Sequence, residues 1–98
     1  MIKLENYESI TIHGWMINKL HLEGLRLLLF AALWNYCLGG TKIEWSWLDY
    51  IHSWLHSFGY NINLEDLDPY ISEFVQKGIV GIDKDGIWIM RHIKELKD

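Results

Sequence analysis

Apolar positions along this chain change rhythm several times, and each rhythm predicts an element. Residues 9–13, Ser-Ile-Thr-Ile-His, alternate and are β-branched, which predicts a short strand ended by Gly14. Residues 15–20 read as a helical turn or two. Residues 23–38 are apolar on every side except at Arg26 and Asn35, so they predict a central helix buried nearly all round, stopped by Gly39-Gly40. Residues 46–58 predict an amphipathic helix with Ser46 as its N-cap. Its inner face is Trp47, Leu48, Ile51, Trp54, Leu55 and Phe58, and the opposite stripe carries Trp45, Asp49, His52 and His56. Gly59-Tyr60-Asn61 breaks it. Asp68-Pro69 signals the start of a third helix, 69–77, with Ile71, Phe74 and Val75 inward and Gly78 as its cap. Residues 79–82 and 87–90 predict two strands joined by Asp83-Lys84-Asp85-Gly86, with Gly86 supplying a positive φ. From Arg91 the charged tail is expected to fray.

Strand, helix, helix, helix and hairpin follow one another in the order of an α+β winged helix-turn-helix, a three-helix core closed by a small antiparallel sheet. At 98 residues and 11.7 kDa the chain makes a single domain, 1–98. Half of its residues are hydrophobic and six are Trp, enough large side chains for a core. The longest apolar run, residues 27–34, is far short of the roughly 20 needed to span a bilayer. A lone cysteine, Cys37, excludes an internal disulfide framework, and no signal-peptide pattern opens the sequence, so a cytoplasmic setting in a host cell is expected.

The N-terminal third carries a resemblance. Tyr7-Glu8-Ser9-Ile10, then residues 12–20 (Ile-His-Gly-Trp-Met-Ile-Asn-Lys-Leu), then Leu22-Glu23-Gly24 before the long apolar helix, resemble the winged-helix domains of phage replication initiators. These are the replisome organisers, and related helix-turn-helix proteins, of phages infecting Gram-positive bacteria. The likeness covers residues 7–40, and beyond it only the order of elements and a Lys77-Gly78-Ile79-Val80 helix ending are shared. It implies a winged-helix fold and DNA binding through the third helix. Two departures oppose the DNA-binding half. The usual Ser/Thr- and Lys/Arg-rich start of that helix is here Leu64-Glu65-Asp66-Leu67-Asp68-Pro69-Tyr70, and the long C-terminal region of initiators is missing.

Charge sharpens the departure. The net charge is −4, and the segment from Glu44 to Asp85 alone carries −6: Glu44, Asp49, Glu65, Asp66, Asp68, Glu73, Asp83 and Asp85 against Lys77 and Lys84. A modest DNA binder neutralises about 6–10 phosphates. The outward third-helix residues Ser72 and Gln76, with Lys77, Lys84 and Arg91, offer too few contacts. An acidic face suits a basic protein partner instead, such as the nucleic-acid channel of a host enzyme, in the manner of DNA mimics and anti-CRISPR proteins. The residues expected to meet it are Trp45, Asp49, Glu65, Asp66, Asp68, Glu73, Asp83 and Asp85. Trp45 either stands exposed as an interface anchor or folds back onto the core. A solvated acidic face with no partner is the plain alternative. A DNA-binding initiator fragment or transcriptional regulator, using Ser72, Gln76, Lys77, Lys84 and Arg91, is the runner-up. A homodimer through the aromatics of the same region is a third reading.

Little else points to chemistry. His52 and His56 stand i, i+4 with Asp49 a turn earlier, but structural zinc takes four ligands, so no metal is expected. Cys37 lacks a base and an orienting group, and the glycines form no phosphate loop. No cofactor and no catalytic residue are therefore expected.

Overall fold

The computed structural model describes residues 10–37 and 41–96. Helix α1 (Gly14–Asn18) leads to α2 (Gly24–Tyr36), strand β1 (Ile43–Glu44) and helix α3 (Trp47–Ser57). A 3-10 turn (Leu64–Leu67) runs directly into α4 (Asp68–Gln76), which is followed by β2 (Val80–Ile82), β3 (Gly86–Ile89) and a 3-10 stretch (Arg91–Leu96). The architecture is α+β, with a three-stranded antiparallel sheet ordered β1-β3-β2. Ile87 at the centre pairs with Ile43 on one side and Ile82 on the other, and Val80 pairs with Ile89.

One continuous core joins these pieces. Leu29, Phe30 and Leu33 of α2 meet Ile51, Trp54 and Leu55 of α3, Ile71 and Phe74 of α4, and Ile43, Val80, Ile87 and Ile89 of the sheet. Phe30 and Phe74 cross edge to face with centroids 5.8 Å apart, the arrangement aromatic quadrupoles favour. No helix of the described residues is long and apolar enough to cross a membrane.

Several local expectations need correction. Residues 10–13 form no strand; they run along the end of α2, where Asn35 Nδ2 donates to the Thr11 carbonyl at 3.2 Å and the Ala31 carbonyl at 2.8 Å. Ser9 lies outside the described residues. The third strand is β1 instead, whose buried Ile43 the alternation rule cannot see in two residues. In α2 full burial is confined to residues 29–33, with Leu25, Leu27, Leu28 and Trp34 half-buried and Leu38 outside the described residues. Trp47 and Phe58, expected inward, are exposed, because the core takes only Leu48, Ile51, Trp54 and Leu55 from α3. Ser46 precedes α3 without a side-chain cap. Ahead of α4 the reciprocal bonds form five residues earlier than Asp68: the Asn63 N–H donates to Asp66 Oδ2 at 2.9 Å, and the Asp66 N–H to the Asn63 carbonyl at 3.0 Å. The C-terminal stretch is anchored by Ile93, which is 1% exposed, so it is docked through residue 93 rather than frayed.

Two glycines are worth separating. Gly78 ends α4 at φ 77°, the left-handed value that glycine adopts without strain. Gly86 does not have a positive φ; a Cβ there would lie 2.0 Å from the Ile43 carbonyl oxygen. Glycine is needed at Gly86 because β1 approaches it, not because the turn does.

Candidate interaction surface

The head of α4 follows from local sequence. Leu67 is fully buried and pins the 3-10 turn to the core, so Glu65, Asp66 and Asp68 on either side of it point outward and are exposed. Asp66 is partly occupied by its bond from Asn63. No Lys, Arg or His occurs from residue 62 to residue 76. The positive end of the α4 dipole therefore emerges among three carboxylates of its own chain.

Glu73 belongs to a different arrangement. Both of its carboxylate oxygens accept from Arg26 Nε of α2 at 2.9 Å, and Lys77 Nζ stands 3.2 Å away. The Arg26 guanidinium also lies over the Tyr70 ring, 5.1 Å from its centroid. Arg26 first, and Lys77 second, hold the Glu73 carboxyl below the usual carboxylate range. Glu73, expected among the partner-binding acids, is paired within the chain and ties α4 to α2. Arg26, Tyr70 and Glu73, with Ile62, Asp66 and Pro69, line an open cleft of about 420 Å³.

The hairpin turn is likewise organised from within. Asp83 Oδ1 accepts from the N–H groups of Asp85 at 2.8 Å and Gly86 at 3.0 Å, while Oδ2 meets Lys42 Nζ at 2.7 Å. The Lys42 partner lowers the Asp83 pKa, and Asp83 raises that of Lys42. Trp45 folds back onto this turn: its Nε1–H donates to the Asp83 carbonyl at 2.9 Å and the ring is half-buried. Of the two placements expected for Trp45, folding back is the one found, onto the hairpin as well as the core. Asp85 remains exposed at the tip, and Asp49 on the outer stripe of α3.

The eight expected residues thus divide. Glu65, Asp66 and Asp68 are gathered at one helix head, Asp83 and Asp85 share one turn, and Asp49 stands exposed on α3. Trp45, Glu73 and Asp83 are engaged within the chain. Of the expected DNA contacts, Ser72, Gln76, Lys84 and Arg91 are exposed, and Lys77 is exposed while paired to Glu73.

His52 and His56 turn toward one point, the Ile62 carbonyl, at 2.6 and 2.8 Å. A carbonyl only accepts, so each Nε2 carries its proton and donates. Among the described residues no group of three or more His, Cys, Asp or Glu could hold a metal ion. Cys37 is buried and its thiol is pushed up to about 11 by that burial.

Three exposed aromatics escaped the sequence reading as surface groups: Trp47, Tyr50 and Phe58. Helical periodicity placed Trp47 and Phe58 inside, and only the packing of α3 against its neighbours could place them outside. Compared with protein-family models, curated proteins and solved structures, the chain finds no match.

Proposed function

We propose that this chain is a non-enzymatic winged-helix domain of phage or mobile-element origin that binds a basic protein surface, the nucleic-acid channel of a host enzyme. The winged-helix reading is supported by element order: β1 falls between the first two core helices, the hairpin follows the third, and the sheet runs β1-β3-β2. In that arrangement α4 is the helix that would enter a DNA groove, and the β2–β3 hairpin is the wing.

One observation carries the functional reading. Glu65, Asp66 and Asp68 crowd the head of α4 with no base of their own segment beside them. Helix heads attract anions, and duplex binding depends on neutralising phosphates. Three carboxylates at the docking end reverse that attraction and suit a cationic channel, where charge complementarity speeds encounter and fixes register. At the wing tip exposed Asp85 stands beside exposed Lys84, and Asp83 is paired with Lys42, so the acidic reading rests on the α4 head.

The test pairs two measurements. The wild type is titrated against plasmid DNA at low salt in a gel shift, and against a purified host RNA-guided nuclease in a DNA-cleavage assay. The expected result is no shift of the plasmid, inhibition of cleavage, and loss of that inhibition when Glu65, Asp66 and Asp68 are all changed to Lys. Tight, salt-sensitive plasmid binding would instead favour the duplex-reader alternative, which draws on exposed Ser72 and Gln76 of α4 with Lys77, Lys84 and Arg91 as phosphate contacts.

A further inference from the structure

One flank of α3 and its flanking residues carries no charge. Ser46, Trp47, Tyr50, Ser53, Ser57 and Phe58 are all exposed, and at about 100° per residue they fall within an arc of about 140°. Trp47, Tyr50 and Phe58 leave 40%, 55% and 58% of their surface open. Their rings are held in place beforehand. Trp47 lies between Tyr36 and Tyr50, with centroids 5.2 and 5.4 Å away, and Phe58 packs edge-on against Trp54 at 4.9 Å. Rigid aromatics free of Lys, Glu and Asp are enriched at interface cores, and aromatics set among serines are the composition of antibody paratopes.

We propose that this flank is a self-association surface, with two copies meeting across a twofold axis and their α3 helices antiparallel. The flank is complementary to its own reverse. A dyad level with residue 52 brings like edges together, Trp47 beside Phe58 of the other copy on one edge and Ser46 beside Ser57 on the other, with Tyr50 near the middle.

Charge selects a second copy at this face and at no acidic one. Each chain carries −4, and Glu65, Asp66 and Asp68 crowd the α4 head, where another copy is repelled. The acid of α3 itself, Asp49, stands beside the flank. The antiparallel pairing holds the two Asp49 positions about 9 Å apart along the helix axis, roughly the screening length at physiological salt. It brings each Asp49 within one residue of the level of His56 in the other copy. The α4 head and hairpin stay open for the partner proposed above, so the two readings stand independently.

Area sets the strength. The three aromatics contribute about 350 Å² per copy, taking about 225 Å² for each whole side chain. A standard interface takes about 800 Å² from each partner. The pair is therefore weak and separates on dilution.

Sedimentation velocity of the full chain between about 5 and 500 µM tests this, a span in which a micromolar association is visible. The expected result is a rise from monomer to dimer, abolished by Tyr50→Glu and kept by Glu65→Lys. Ser53→Cys lies beside the dyad and, on mild oxidation at the upper concentration, forms a disulfide dimer that Asp68→Cys does not; buried Cys37 takes no part. A monomer at every concentration, a dimer that survives Tyr50→Glu, or equal cross-linking at both cysteines would overturn the proposal.

Discussion

Replacing Gly86 with alanine forces a methyl group to within 2.0 Å of the Ile43 carbonyl oxygen and 2.9 Å of its carbon. Carbon and carbonyl oxygen ordinarily approach no closer than about 3.3 Å, so β1 must retreat by more than about 1 Å. Unlike a side-chain tip, the obstacle is backbone and cannot swing aside. The retreat breaks the Glu44–Gly86 rung and partly exposes Ile43, now 6% exposed. Overpacking costs about 1–3 kcal/mol, and a part of the roughly 1.5–3 kcal/mol of a buried isoleucine is added, for a loss of about 2–4 kcal/mol. Gly78→Ala is the control: its φ of 77° is strained for alanine but nothing lies within 4 Å, so it should lose about 1–2 kcal/mol. Gly81→Ala falls between them, since the group it meets is the Trp88 ring, a side chain able to shift. Urea unfolding followed by tryptophan fluorescence reads all three. If Gly86→Ala is no worse than Gly78→Ala, the close approach of β1 is not what demands glycine there.

Three further outcomes are expected. Cys37, buried with its thiol pushed up to about 11, should stay unmodified by a disulfide reagent at pH 8 in the folded protein and react at once in guanidinium; rapid native labelling contradicts its placement. Glu73→Gln should lower stability at pH 7 by up to about 1 kcal/mol, a small value because Arg26 is half-exposed. Since the folded Glu73 pKa is depressed, its contribution is complete above the ordinary carboxylate pKa and disappears as pH falls through the folded value. The unfolding midpoints of wild type and Glu73→Gln should therefore converge as the pH is lowered, and a gap that does not narrow in acid refutes the ion pair. His21 holds φ 59°, which is strained for a residue with a side chain, so His21→Gly should raise the melting temperature by a few degrees despite its looser unfolded chain; a fall would show that the ring supplies a contact stronger than the strain.

The local rhythm of the sequence was enough to place α2, α3, α4 and the hairpin within a residue or two, because each depends on neighbours three or four positions away and on Gly, Pro and Asp punctuation. It also placed the excess acid in the second half of the chain, since charge needs no fold to be counted. Tertiary structure decided what each of those groups does. Glu73 and Arg26 are 47 residues apart, and Asp83 and Lys42 are 41 apart; no local pattern announces such pairs, and they convert two expected binding acids into internal ties. Trp45 and Trp47 show the same division from the hydrophobic side. Two residues apart on one short segment, Trp45 falls on the polar stripe with its placement left open by periodicity and Trp47 falls on the inner face, yet the hairpin and core hold the first and the second is left exposed. A helix has one period but several neighbours, and which arc of it is covered depends on chains that arrive from elsewhere.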